Sequence, residues 1–316
     1  MSDQTPGLLL NVPTPIEALP IQAFEQAGIT LQVKRDDLIH PQIIGNKLRK
    51  SLPNIQVCLQ SGHTSLVTFG GRFSNHLLAI AQAGQQTGLA TSGIVRGMDK
   101  LGHSVVLDEC RRLQMNVIAV NPEQYDALLQ MNAADLADKL GLQVTPYLIP
   151  EGGTSSVALE GVAQIINEIA ELESYHWIIC AVGTGGTAAG LAWGISQRLE
   201  QSLPRVLAIS TLRGYDALPL QGQSALVDKV GSELATQILA RHLQFEGSAP
   251  WGRYGKPTEA VLQRMRTLQA ATLLPLDYVY TAKVLLQLEE MAQSGYFARG
   301  DKLLFLHTGG YQTAPL

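Results

Sequence analysis

Cys180-Ala181-Val182-Gly183-Thr184-Gly185-Gly186-Thr187-Ala188-Ala189-Gly190 is the stretch on which the fold turns. An apolar run ends in a glycine-rich turn, and the turn opens a helical pattern. Strands buried on both faces read as continuous apolar runs, so Trp177–Val182 fits a covered parallel strand. Glycine lets the backbone approach an anion, and the free N–H groups of a helix start point toward one. Thr184 and Thr187 add hydroxyl donors. The turn suits a phosphate, with a plain tight turn as the blander reading. It is not the dinucleotide pattern G-x-G-x-x-G, because Ala188 stands at the third glycine. The next strand, Val206–Ser210, leads into Thr211-Leu212-Arg213, so no acid is placed for a ribose. Gly-Lys-Ser/Thr is absent too, which removes the P-loop.

The same alternation runs outward in both directions. Strands are predicted at Leu66–Phe69, Ser92–Val95, Asn116–Val120, Thr145–Ile149 and Lys302–His307. Helices are predicted at about 75–87, 104–113, 157–172, 187–199, 233–240, 257–271 and 281–294, with one more ending near Leu140. Strands alternating with helices argue for an α/β protein with parallel-stranded sheets covered by helices. Two domains are expected: a smaller one over 51–149, and a larger, discontinuous one over 1–50 plus 150–316. A site between them, at the C-terminal ends of strands, is the natural place for a ligand.

Composition narrows the function. The chain has 316 residues and a net charge of −4, with no block of Lys and Arg. Nucleic acid and anionic membranes are therefore not expected as partners. The N-terminus lacks a basic stretch followed by an apolar one, so a cytoplasmic protein is expected. Cys58, Cys110 and Cys180 are far apart and set among apolar residues, which suits small buried hydrophobes.

Three further segments carry polar groups at the ends of apolar runs. Gly45-Asn46-Lys47-Leu48-Arg49-Lys50 follows Lys34-Arg35-Asp36-Asp37 and begins a helix. Lys47 falls in its first turn, where the helix dipole disfavours an ammonium and lowers its pKa. A lysine of that kind can attack an aldehyde. Taken alone, Lys47 is more simply a solvated lysine, and Arg49 and Lys50 are expected to face water. Phe69-Gly70-Gly71-Arg72-Phe73-Ser74-Asn75-His76 again joins a strand to a helix. Ser74 and Asn75 can hold a carboxylate or merely cap the helix, and His76 reads as structural. Near the C-terminus stand Tyr254, then Tyr280-Thr281, then His307-Thr308-Gly309-Gly310. Each alone is more simply explained by packing or capping.

Together these segments resemble one family. With Pro150-Glu151-Gly152-Gly153 they are similar, in order and spacing from about Thr14 to Gly310, to the aminocyclopropane-carboxylate deaminase and D-cysteine desulfhydrase family of pyridoxal-phosphate enzymes. The resemblance implies a two-domain, tryptophan synthase β-like (fold type II) structure and pyridoxal 5′-phosphate as cofactor. By the same resemblance Lys47 would carry the cofactor and Asn75 would bond its ring hydroxyl. Gly183, Thr184, Gly185, Gly186 and Thr187 would hold its phosphate, and Thr308 would lie near its ring nitrogen. Ser74, with backbone N–H groups of Ser74, Asn75 and His76, would receive the substrate. Lys47, Ser74, Tyr280 and Tyr254 would be catalytic.

The resemblance further implies a homodimer acting on a small amino acid. The deaminase branch carries Glu and Leu where this chain has Thr281 and Thr308. Two hydroxyls beside the ring nitrogen make a weaker electron sink than a carboxylate. The expectation is therefore β-elimination of the D-cysteine desulfhydrase kind, giving pyruvate, ammonia and sulfide. The alternatives are 1-aminocyclopropane-1-carboxylate deamination, a related racemase or dehydratase, and a non-catalytic binding protein of the same fold. Arg72-Phe73 and Tyr278 depart from the family pattern around the substrate.

Overall fold

The computed structural model describes residues 8–43, 45–97, 104–199, 202–211, 214–247, 251 and 255–310. Its strands, in chain order, are β1 (Ile16–Ala18), β2 (Thr30–Lys34), β3 (Ser65–Gly70), β4 (Ala90–Arg96) and β5 (Asn116–Val120). They continue with β6 (Tyr147–Ile149), β7 (Trp177–Val182), β8 (Arg205–Ser210), β9 (Leu243–Glu246) and β10 (Lys302–Leu306). Six make one sheet in the order β1-β2-β10-β7-β8-β9, and four make a second in the order β5-β4-β3-β6. All pairings are parallel except β1 with β2.

The apolar strands are apolar because both faces are covered. In the larger sheet Ile179, Leu207, Ile209, Leu303 and Phe305 enter one core. Their neighbours Ile178, Cys180, Val206, Ala208, Leu304 and Leu306 enter the core on the other face. The smaller sheet divides in the same way, with Leu66, Val95 and Ile149 on one side and Val67, Phe69 and Ile94 on the other. Successive side chains point to opposite faces, so the central strands are buried on both. The three cysteines are buried and free, as expected.

The structure differs from the predicted elements in several places. The helix expected to end at Leu140 is two helices, Pro122–Leu128 and Ala133–Leu140, the second capped by the Asn132 side chain. The helix Leu220–Val230 and the strands β1, β2 and β9 were not anticipated. β1 is an edge strand of three residues, too short for a periodic pattern.

Arg49 and Lys50 do not face water: they are 3% and 1% exposed. Arg49 instead ties the helix Gly45–Gln60 to β2 and to the helix Ser156–Asn167. Its guanidinium donates to both oxygens of Asp36, at 2.8 and 2.6 Å, and to both of Glu168, at 2.7 and 3.0 Å. Lys34, at the end of β2, donates to Glu168 at 2.9 Å and to the Thr14 carbonyl at 3.0 Å. Burial tends to raise the Glu168 carboxyl, but Arg49 and Lys34 outweigh it and hold it below its ordinary 4.5. The helices meet closely because Gly161 faces the Arg49 carbonyl, where a Cβ would lie 1.9 Å from the oxygen. That carbonyl lacks its usual helical donor, since the residue four positions on is Pro53.

Arg49→Met leaves the buried Asp36 and the partly buried Glu168 carboxylates facing one lysine. Breaking a buried pair costs about 3–5 kcal/mol, and urea denaturation at neutral pH is expected to show a loss of that order. Because Glu168 is held low, its contribution is complete above its ordinary value and is lost as pH falls through the folded value. The gap between the two proteins should therefore narrow in acid.

Candidate active site

The site lies where strand order reverses. β10 and β7 are neighbours, but the chain leaves β7 toward β8 and reaches β10 last, so a crevice opens beyond their C-terminal ends. β7 delivers Gly183–Thr187, and β10 delivers Thr308–Gly310. The smaller sheet faces them with the loop after β3. An enclosed cavity there is lined by Asn46, Lys47, Lys50, Asn75, Gly183 through Thr187, Tyr280 and Thr308 through Gly310. A second cavity of ≈ 530 Å³ adjoins it and shares Lys47, Asn75, Gly183, Thr184 and Tyr280. Ser74, His76, Arg72, Phe73 and Lys256 line the second.

Gly45 brings Lys47 into place. It has φ of +57°, and a Cβ there would lie 1.7 Å from the Thr308 carbonyl oxygen. No other residue allows the helix start to press so closely on the end of β10. Asn46 then donates to Thr187 Oγ1 at 2.7 Å, joining this helix start to the glycine turn. Lys47 is half-buried and lines both cavities. Burial pushes its ammonium down to about 8, although the Asp277 carboxylate pulls the other way. Its Nζ lies 5.9 Å from the centre of the Tyr280 ring.

The glycine turn is built for close approach. Gly185 has φ of +84° and precedes the helix Gly186–Ser196. Thr184 Oγ1 and Thr154 Oγ1 are hydrogen-bonded at 2.7 Å. Lys50 reaches the same place, with Nζ 3.4 Å from Thr154 Oγ1. No carboxylate pairs with Lys50 among the described residues. Burial, and then the charge of Lys47, hold its pKa far below that of a free lysine. A buried lysine beside free helix N–H groups calls for an anion.

His76 is neutral for a comparable reason. Thr68 Oγ1 gives its one proton to the Ile149 carbonyl at 2.8 Å, so it must accept from His76 Nε2 at 2.8 Å. That leaves Nδ1 without a proton and without a partner among the described residues. Burial, then Lys50 and Lys47, keep the imidazole uncharged. Ser74 caps the helix Asn75–Thr87, accepting the Leu77 N–H at 3.3 Å, and its own hydroxyl donates to nothing among the described residues. Thr308 lines the enclosed cavity, but Thr281 does not. Thr281 is fully buried, accepts from the Asp277 N–H at 2.8 Å and packs within its own turn. The expectation of two hydroxyls at one spot is thus corrected to one. Tyr254 lies outside the described residues. Asn46, Lys50, Thr154 and Asp277 were missed by sequence reasoning; only their neighbours carried a signal.

The donor set fits a phosphorylated aldehyde: a glycine turn and a cation for the phosphate, and a lysine of lowered pKa for the aldehyde. The model of the family described as "Pyridoxal-phosphate dependent enzyme" matches residues 8–309. The chain belongs to that family. This pyridoxal-phosphate dependent enzyme is 31% identical over 304 residues to a Pyrococcus horikoshii protein provisionally named as a 1-aminocyclopropane-1-carboxylate deaminase, covering 94% of this chain and 89% of that one. It is 30% identical over 311 residues to the D-cysteine desulfhydrase of Salmonella choleraesuis, covering 96% and 93%. Among solved structures it resembles an ACC deaminase homologue with a TM-score of 0.79 and 29% identity, over 97% of this chain and 92% of that one. The fold is therefore that of the fold type II pyridoxal-phosphate enzymes, and pyridoxal phosphate is the cofactor.

In the cofactor-free enzyme, Lys47 is expected to react with a small aldehyde and borohydride with a midpoint near pH 8, well below the ordinary 10.5. It is the neutral amine that attacks, so labelling rises with pH through that midpoint. Peptide mass spectrometry across a pH series reads it.

Proposed function

We propose that this enzyme breaks down a small amino acid by β-elimination, with D-cysteine giving pyruvate, ammonia and sulfide. The observation that carries the reading is Lys47, a lysine of lowered pKa at the junction of a phosphate turn and a second, roomier cavity. The similarity to D-cysteine desulfhydrase supports it. The proteins named for 1-aminocyclopropane-1-carboxylate favour a second reading, deamination of that compound. Of the two threonines, Thr308 lines the cavity while Thr281 is withdrawn into its turn, and this favours elimination. No helix among the described residues is long and apolar enough to cross a membrane. The reading includes a cytoplasmic homodimer, and domains over 51–149 and over 1–50 plus 150–316.

Pyridoxal phosphate, when bound, draws electron density away from the α-carbon of an amino acid joined to it. The protein's own groups do the rest. Lys50, Thr184, Thr187 and the N–H groups of Gly183–Thr187 would hold the cofactor's phosphate. Lys47 would hold its aldehyde end, and Asn75 its ring hydroxyl. The N–H groups at Ser74–His76 receive the substrate carboxylate, and neutral His76 adds no charge there. Lys47, or Ser74 with Tyr280, takes the α-proton. Tyr280 packs against Gly183, where a Cβ would lie 3.4 Å from its ring, so its hydroxyl is held beside the phosphate turn. Tyr254 completes the proposed catalytic set.

A panel of D- and L-amino acids and 1-aminocyclopropane-1-carboxylate tests the reading. Pyruvate and sulfide from D-cysteine are expected. Release of 2-oxobutyrate from the cyclopropane alone would transfer the assignment to the deaminase. Turnover of nothing in the panel would favour a binding protein. Lys47→Ala should abolish both turnover and any visible band removed by borohydride.

Lys50→Ala tests the phosphate site separately. Hydrogen bonds to charged groups contribute about 1.5–3 kcal/mol. Cofactor affinity, measured by fluorescence titration, is therefore expected to fall roughly tenfold to a hundredfold.

A further inference from the structure

Asp277 has no part in the reaction as described so far, yet it stands behind the cavity wall and is fully buried. Its two oxygens are treated differently. Oδ1 accepts the backbone N–H groups of Val279 at 2.9 Å and Thr281 at 3.3 Å, and that of Tyr280 between them. Three donors on one oxygen make the corner that starts the helix Thr281–Gln293 and presents Tyr280 to the cavity. Oδ2 has no hydrogen-bond partner among the described residues. It presses on Gly310, where a Cβ would lie 1.8 Å from it. Gly310 itself lines the enclosed cavity.

A buried carboxylate oxygen without a donor is costly unless a positive charge answers it. The cation coupled to Asp277 is Lys47. The other titratable groups tied to this pair are Lys50 and His76, on the side of Lys47, and the Tyr278 phenol, on the side of Asp277. None of them is a carboxylate. The cavity therefore holds two lysines, and Asp277 is coupled to one of them, Lys47.

We propose that Asp277 is a positioning residue with two duties: Oδ1 fixes Tyr280 over Lys47, and the unpartnered Oδ2 supplies the negative charge that balances a cation at Lys47. The inference rests on the reading that Lys47 carries the cofactor. The second duty sets the acidity at which the Lys47 nitrogen gives up its proton. The first explains why a residue outside the cavity governs a ring inside it.

Asp277→Asn separates the duties. The amide keeps an oxygen for the three N–H groups and removes the charge. In the holoenzyme the visible band is titrated with pH, alongside circular dichroism and thermal unfolding. The expected result is a folded protein whose spectral midpoint falls by about one pH unit, the least that loss of a close opposite charge produces. A folded Asp277→Asn protein with the wild-type midpoint would overturn the proposal. Should this variant not fold, Asp277→Ser, which also keeps an acceptor, is titrated in its place. Failure of both to fold assigns Asp277 to architecture alone and overturns the charge role. A wild-type protein without a borohydride-sensitive band on Lys47 would sink the underlying reading instead, and that outcome is seen before any Asp277 variant is made.

Discussion

Arg49, held between Asp36 and Glu168, is the interaction on which the rest depends. It sits two residues beyond Lys47 on the same helix. One carboxylate comes from the turn after β2, and the other from just beyond the helix Ser156–Asn167. Three parts of the chain distant in sequence are therefore locked by one planar cation with donors on two sides, a geometry lysine cannot match. The lock fixes the rotation of the helix about its axis. That rotation decides which lysine enters the cavity, since Lys47 and Lys50 are three residues apart and share a face. Both turn inward together, one toward Tyr280 and the other toward the glycine turn.

The cavity that results has an unusual balance of charge. Burial works against the ammonium form of both lysines, and the charge of Lys47 makes that of Lys50 less favourable still. His76 stays neutral beside them. Such a site is stable when anions are supplied from outside, and a phosphate and a carboxylate are what the cofactor and an amino acid bring. Asp277 supplies charge from the opposite wall. Close contacts of Gly45 with the Thr308 backbone and of Gly310 with the Asp277 side chain bring these walls together, and a side chain at either glycine would displace them.

Much of this was legible in the chain. The strand at Trp177–Val182 and the turn after it stand where their residues imply, because local turn chemistry and a fully apolar strand leave few alternatives. The helix at Asn75–Thr87 was also plain, with Ser74 as its cap. Arg49 and Lys50 were misread. A charged residue on an amphipathic helix ordinarily faces water, and the carboxylates that draw Arg49 inward lie 13 and 119 residues away. Thr281 was misread for a local reason: its hydroxyl closes a turn with Asp277 rather than facing the cavity. Asp277 carried no reading of its own in the sequence.

The sequence by itself determined the α/β architecture, the glycine-rich turn and the order in which the polar strand ends occur. These rest on short-range preferences: side-chain period, glycine's freedom and the start of a helix. Only the tertiary structure decided which lysines are buried, which hydroxyl reaches the cavity and where the answering carboxylate stands. Those outcomes depend on burial and on charges brought together from far apart along the chain. Desolvation and pairing act through space, so no local pattern records them.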